Sequence, residues 1–318
     1  MNQNINFSLW LDFIERNFLE SGEFDKMIKD GIINGATSNP AIFQQAFTNS
    51  PAYISKIESL KKEGLLPEEI YENLAISDIQ LTAKKLLPLF ENKNMGFVSI
   101  EVNPFFADNT EATIEEGIRL FRKIGFPNVM IKIPATDFGY LAMEELFAKD
   151  IPVNATLIFS LEEAIKSAEA MKRGLARSCK KSAKGVLSVF VSRLDKAVSS
   201  TRFGIANSSK IYREIESRKY KNITTLFAST GVKDDSLEPD YYIRELLAEN
   251  SINTAPLKTI QAYQKTGMDG IPKLPLDLKT ETEIISQIDS ANEILIKLKK
   301  EGLESFKTSF SNMMEFLK

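Results

Sequence analysis

The 318-residue chain contains no histidine and a single cysteine, Cys179. Without histidine, the side chain that most often moves protons near neutral pH is missing. The Ser-His and Cys-His pairs of nucleophilic catalysis are missing with it. Any proton transfer here must fall to carboxylates, lysine, hydroxyls or water. The same shortages remove the ligands of zinc, haem and iron–sulfur centres, so only oxygen-ligated Mg²⁺ or Ca²⁺ stays conceivable. A lone cysteine also excludes an intrachain disulfide. Its neighbourhood, Arg177-Ser178-Cys179-Lys180-Lys181, reads as helical and cationic, a setting that can activate a thiol, though a free thiol without function is the simpler reading.

Other absences narrow the class further. Lys plus Arg (40) nearly balance Asp plus Glu (43), and a net charge of −3 supplies no broad positive field for nucleic acid. No stretch approaches eighteen apolar residues, so no membrane partner is expected. The start, Met1-Asn2-Gln3-Asn4, lacks the basic region and apolar core of a signal peptide, and a cytoplasmic location is the expectation. Asn154-Ala155-Thr156 and Asn207-Ser208-Ser209 match the glycosylation pattern, but without an export signal the matches read as accidental. Neither GxGxxG nor GxxxxGK occurs, so nucleotide binding by those routes has no support.

What is present is an alternation of short apolar runs with helical stretches. Strands are predicted at Phe7–Asp12, Gly35–Ser38, Phe97–Glu101, Val129–Ile133, Pro152–Phe159, Gly185–Ser192, Ile223–Ser229 and Ser251–Thr254. Helix starts are signalled by Ser38-Asn39-Pro40, by the capping box Ser160-Leu161-Glu162-Glu163 and by Thr254-Ala255-Pro256, and a stop by Ile124-Gly125-Phe126-Pro127. Short connections without a linker, and an apolar share of 43%, argue for one domain over 1–318 built on a parallel sheet. Eight such strands close into an α/β fold, the (β/α)₈ TIM barrel. Two segments exceed the minimum unit, an extra helical stretch over 51–94 and a helical tail over 279–318, whose Ile284, Ile285, Ile288 and Ala291 are spaced to cover the barrel. The lysines at 180, 181 and 184 and at 297, 299 and 300 read as solvated helix faces.

Within the fourth run, Val129-Met130-Ile131-Lys132-Ile133-Pro134-Ala135-Thr136, one cationic side chain is embedded among apolar neighbours. An ammonium taken into an apolar interior loses hydration unless it finds a partner or gives up its proton. A neutral lysine amine attacks carbonyl carbon. The bland alternative is a strand-end lysine that reaches solvent or pairs with a structural carboxylate. In a barrel, polar residues at the C-terminal strand ends face the active-site mouth. Here those ends carry Asp12, then Thr37, Ser38 and Asn39, then Glu101 and Asn103, then Lys132, Asn154 and Thr156, Ser188, Ser192 and Arg193, and finally Ser229 with Lys233 soon after. Each has a structural alternative. Asp12 could cap a helix over 13–19, Asn39 and Pro40 could be turn chemistry, and Arg193 could partner Asp195 or Glu101. Their agreement along the chain favours a site in which lysine, carboxylates, hydroxyls and amides support imine chemistry, with late cations placed where barrels often bind phosphate.

Trp10-Leu11-Asp12, Gly35-Ala36-Thr37-Ser38-Asn39-Pro40-Ala41-Ile42-Phe43, Ile131-Lys132-Ile133-Pro134-Ala135-Thr136 and Asn154-Ala155-Thr156-Leu157-Ile158-Phe159-Ser160 together resemble the signature regions of the transaldolases, in order along nearly the whole chain. The length and Ala228-Ser229-Thr230-Gly231 look more like the longer bacterial and plant-type branch. The resemblance implies a class I aldolase-type barrel that needs no cofactor or metal and acts on small-molecule sugar phosphates. By resemblance, Lys132 is the Schiff-base nucleophile, Asp12 the acid–base for the C4 hydroxyl, and Glu101 a proton shuttle through a water held by Thr156. Thr37, Asn39, Asn154 and Ser188 would bind the three-carbon dihydroxyacetone unit, and Arg193, Ser229 and Lys233 the phosphate. The best-known branch has arginine two residues after the strand-seven serine, where Gly231 stands here; Lys233 is the nearest replacement. Relatives that only cleave or form fructose 6-phosphate typically show glutamine at the position of Glu101 and tyrosine at that of Phe190, so this pair looks transferase-like. The alternatives are a Schiff-base lyase of the fructose 6-phosphate aldolase type, a Mg²⁺-dependent sugar-phosphate isomerase or epimerase using Asp12 and Glu101 as ligands, and a silent binding protein. A monomer or a homodimer is expected.

Overall fold

The computed structural model describes residues 5–200, 202–234, 236–268 and 270–318. The opening Met1–Asn4, read above for an export signal, lies outside the described residues. Strands β1 (Ser8–Leu11), β2 (Gly35–Thr37), β3 (Phe97–Glu101), β4 (Val129–Pro134), β5 (Val153–Ile158), β6 (Gly185–Phe190), β7 (Ile223–Ala228) and β8 (Ile252–Ala255) follow one another around a closed, all-parallel barrel. β1 pairs with β8 to complete the ring.

Period-two alternation divides most of the strands between an outer and an inner core. Outward residues such as Leu9, Leu11, Val98, Ile100, Ile131, Ile133, Leu187 and Val189 pack into one cluster with the surrounding helices. Inward residues Trp10, Phe97, Met130, Val186, Leu226 and Ile252 fill the barrel floor. Gly35 stands opposite Trp10 in the β1–β2 register, and a Cβ there would sit 2.5 Å from the indole ring. The large ring takes the volume that the small neighbour leaves. Two residues further along, the inward face of β1, β2, β4 and β6 carries Asp12, Thr37, Lys132 and Ser188. The barrel floor is greasy and its upper layer is polar.

All eight predicted strands are present, with trimmed ends that have physical causes. β7 stops before Ser229, whose φ of 55° leaves the extended region. β6 stops before Ser192, which instead opens a helix at Ser192–Val198. Asn39 caps the helix Pro40–Asn49, Ser160 and Glu163 form the predicted capping box, and Gly125 ends the helix Thr110–Ile124 with φ 76°. Several expectations are corrected. Asp12 caps nothing: the following helix is Arg16–Glu20, and Glu15 is its cap. Cys179 is exposed, but it lies beyond the end of the helix Leu161–Arg177 and not within it. Lys180, Lys181 and Lys184 are solvated on the connection to β6, not on a helix face.

The 51–94 segment forms helices Ile54–Lys62 and Pro67–Glu91. The longer one is tied to the helix Arg16–Glu20 that follows β1 by a buried acid. Asp78 is fully enclosed, 2.5 Å from the Arg16 guanidinium, and accepts a 2.7 Å hydrogen bond from the Tyr53 hydroxyl, which in turn accepts from the Arg16 backbone N–H at 2.8 Å. Burial pushes the Asp78 carboxyl up to about 6 despite the guanidinium beside it. Removing one member of such a cluster strands the others, at a cost of roughly 3 kcal/mol. Asp78→Ala is therefore expected to lower stability by about that much in urea unfolding, with Tyr53→Phe costing less; an unchanged midpoint for Asp78→Ala would show that the segment is held by apolar packing alone.

Candidate active site

The C-terminal strand ends open into a cavity of about 190 Å³ whose wall includes Asp12, Thr37, Asn39, Lys132, Ser188 and Arg193. At its floor Lys132 is 5% exposed. The Lys132 Nζ donates to the Ser38 carbonyl at 3.1 Å and stands 3.6 Å from Glu101 Oε2. Glu101 and Lys132 are paired positions in the β3–β4 register, and Lys132 and Asn154 in β4–β5, so adjacent strands set the spacing.

Each carboxylate has its own environment. Glu101 is 5% exposed, and neither of its oxygens makes a hydrogen bond among the described residues. Burial raises its carboxyl to about 7, against the opposing pull of the Lys132 ammonium. Asp12 accepts from the Thr37 hydroxyl at 2.6 Å, and Thr37 in turn lies 2.7 Å from Thr254 Oγ1. Enclosure raises Asp12 also, while Lys132, Thr37 and Lys233 pull it back. Two buried acids, both raised by enclosure, thus flank one amine.

A second layer lies behind them. Ser188 donates to Asn154 Oδ1 at 2.7 Å, and Asn154 Nδ2 donates to Ser99 Oγ at 3.0 Å. Asn154 is fully buried and, like Glu101 and Thr156, stands behind the residues that line the cavity, where its amide oxygen holds the Ser188 hydroxyl. Thr156 is also fully buried, and its hydroxyl makes no hydrogen bond among the described residues. Asn39 spends its carbonyl oxygen on the Ile42 N–H at 3.1 Å, leaving its amide group toward the cavity it lines.

At the outer end, Ser229 and Ser192 hydroxyls meet at 3.1 Å, and Lys233 reaches the cavity from an exposed position. Arg193 is partnered by neither Asp195 nor Glu101. Asp195 instead accepts from the Gly204 N–H at 2.6 Å and the Tyr242 hydroxyl at 2.8 Å. The Arg193 guanidinium lies over the Phe190 ring at 5.4 Å, and burial lowers its proton affinity. No group of three or more metal-ligating side chains occurs among the described residues.

The model of the transaldolase/fructose-6-phosphate aldolase family matches residues 9–317. The chain belongs to this family. A transaldolase of Campylobacter jejuni is 47% identical, with 98% of this chain and 99% of the relative covered. One of Helicobacter pylori is 44% identical over 97% and 98% respectively.

Three features of this family member escaped the sequence reading. Thr254, at the end of β8, was visible to the same strand-end rule that selected the others. The Ser38 carbonyl is a backbone ligand without a residue-type signal. Most distant is Phe306, from the helix Ala291–Leu317, whose ring lies 5.8 Å from Lys132 Nζ and, with Ser305, walls the cavity. The tail is therefore part of the site. Lys299 on the same helix is not a solvated lysine, as expected above, but half-buried: it donates to Glu163 Oε1 at 3.0 Å and to the Ala135 carbonyl.

A carboxyl raised by burial binds its proton more tightly in the folded state, so its contribution to stability is full below the unfolded value near 4.5 and is lost as pH rises through about 7. Glu101→Gln keeps the shape without the charge. The variant is expected to match the wild type near pH 4 and to exceed it by on the order of 1–3 kcal/mol at pH 8 in denaturant titrations; a difference independent of pH would contradict the raised carboxyl.

Proposed function

We propose that the chain, as one barrel domain over 1–318, transfers a dihydroxyacetone unit from a ketose phosphate to an aldose phosphate through a Schiff base on Lys132. The observation that carries this reading is a buried amine at the floor of the cavity with one carboxylate 3.6 Å away and a second oriented toward the same space by Thr37. In this reading the Lys132 amine attacks the C2 carbonyl, and the carbinolamine loses water to form a protonated imine. Glu101 handles the protons of that dehydration through a water bound at Thr156. Both have buried oxygens with no hydrogen-bond partner among the described residues, and buried polar groups seek one.

Asp12 then takes the C4 hydroxyl proton. The C3–C4 bond breaks, its electron pair flows into the imine as an enamine, and the aldose phosphate departs. A second aldose phosphate accepts the three-carbon unit by the reverse sequence. Asn39 and Ser188 hold the hydroxyls of that unit, with Asn154 fixing Ser188. Arg193, Ser229 and Lys233 bind the phosphate, which anchors the sugar away from the reacting carbons and aligns it. The reaction taken as physiological is sedoheptulose 7-phosphate plus glyceraldehyde 3-phosphate giving erythrose 4-phosphate plus fructose 6-phosphate, in the cytoplasmic pentose phosphate pathway, by a monomer or homodimer without nucleic-acid or membrane partners.

The test is glyceraldehyde 3-phosphate release from fructose 6-phosphate, with and without erythrose 4-phosphate, in excess chelator. Sustained turnover is expected only with the acceptor. Equal turnover without it would establish the lyase instead, and no glyceraldehyde 3-phosphate under any condition, with a six-carbon isomer formed only when Mg²⁺ is restored, the metal-dependent isomerase. Lys132→Ala is expected to abolish transfer in a folded protein, and Asp12→Ala to slow it roughly 10²–10⁴-fold, the usual worth of a positioned acid–base group; substantial transfer by Lys132→Ala would defeat the mechanism.

A further inference from the structure

The cavity holding Lys132 does not end at Arg193 and Lys233. Both residues also line a second cavity of about 420 Å³, which continues outward between the helix Ser192–Val198 and the helix Ala291–Leu317. Its polar lining is Arg193, Lys196, Lys233, Lys297 and the one carboxylate Glu301. Four cations thus face a single anion. That anion sits 3.8 Å from Lys297, one helical turn away, in a pair whose side chains are 74% and 55% exposed. Such a pair is worth little and yields readily to a better ligand.

The two cavities share Arg193 and Lys233, and the tail helix lies close over the outer one. Gly302 lets the tail helix approach closely: a Cβ there would stand 2.9 Å from Leu157 and 3.4 Å from an Arg193 nitrogen. The same close approach carries Lys297 and Glu301 over the groove.

We infer that the groove between Arg193 and Lys297 is an outer anion subsite that receives the phosphate of the longer ketose substrate. The inference rests on the transfer reading above. Because an imine fixes C2 of every donor at Lys132, donors of six and seven carbons place their phosphates at different depths. One planar guanidinium held against Phe190 suits one depth. Lysines on long flexible stems, acting as point charges, suit a range. Fructose 6-phosphate reaches Arg193, Ser229 and Lys233, and sedoheptulose 7-phosphate extends further toward Lys297, displacing Glu301.

Lys297→Ala and Glu301→Gln break the same surface pair; Glu301 also faces Arg193, an effect common to both sugars, so the subsite is read from the difference between sedoheptulose 7-phosphate and fructose 6-phosphate. An anion subsite moves the two variants apart. Lys297→Ala is expected to raise KM for sedoheptulose 7-phosphate roughly fivefold, about the worth of one partly solvated charge-assisted contact, with little change for fructose 6-phosphate and with kcat retained. Glu301→Gln is expected to lower that KM and to strengthen inhibition by inorganic phosphate, and Lys297→Arg to restore the wild-type value. Shifts of the same sign in Lys297→Ala and Glu301→Gln, equal effects on both sugars, or no effect while the wild type turns over normally would overturn the subsite alone. A wild-type protein that turned over neither sugar would count against the transfer reading itself.

Discussion

Everything above the barrel floor answers to one constraint, a lysine at an inward position of a buried strand. Period-two alternation aims Lys132 into the barrel as surely as it aims Met130 two residues earlier. An ammonium there is tolerable only with compensation, and the neighbouring strands provide it. β3 supplies Glu101 in direct register, the β2 end supplies the Ser38 carbonyl, and β1 supplies Asp12. These compensating groups are acids and acceptors, which are also what proton transfer at an imine needs in a chain without histidine. Under the proposed mechanism stability and chemistry therefore oppose each other at Glu101: its burial is unfavourable for the fold above neutrality, and the raised carboxyl is what the proposed proton shuttle requires near it.

The tail helix turns this open barrel end into an enclosed site. Phe306 covers the amine, Leu298 joins the same apolar cluster, and Phe310, Met313 and Leu317 anchor the far half of the helix in the main core. Lys299 ties the near half to Glu163 and to the Ala135 carbonyl, just past the strand that carries Lys132. A covered site excludes water, which protects an enamine from premature protonation and strengthens the charged contacts inside it.

The barrel was legible because its signals are local. Eight apolar runs, caps at Asn39 and Ser160 and the stop at Gly125 each depend on a few adjacent residues. The strand-end rule likewise anticipated that Asp12, Glu101, Lys132 and Ser188 gather at one end of the barrel, because register and alternation decide where such residues point. What escaped depends on contacts between distant segments. Ile284 and Ile285 marked the tail as a cover, but nothing in their spacing says that Phe306 reaches Lys132. Likewise nothing in the sequence says that Ser188 and Asn154, on neighbouring strands, are joined by a hydrogen bond. The trimmed strands illustrate the same limit, since the left-handed turn at Ser229 is set by its surroundings more than by serine itself.

The claim on which the account rests is that Lys132 is a nucleophile and not a buried structural cation. Its most direct test is peptide mass spectrometry of the protein treated with fructose 6-phosphate and borohydride in the presence of chelator. A reduced three-carbon adduct on Lys132 is the predicted result, and it would establish nucleophile, donor unit and metal independence together. A folded protein without that adduct, or with the adduct on another lysine, would contradict the assignment.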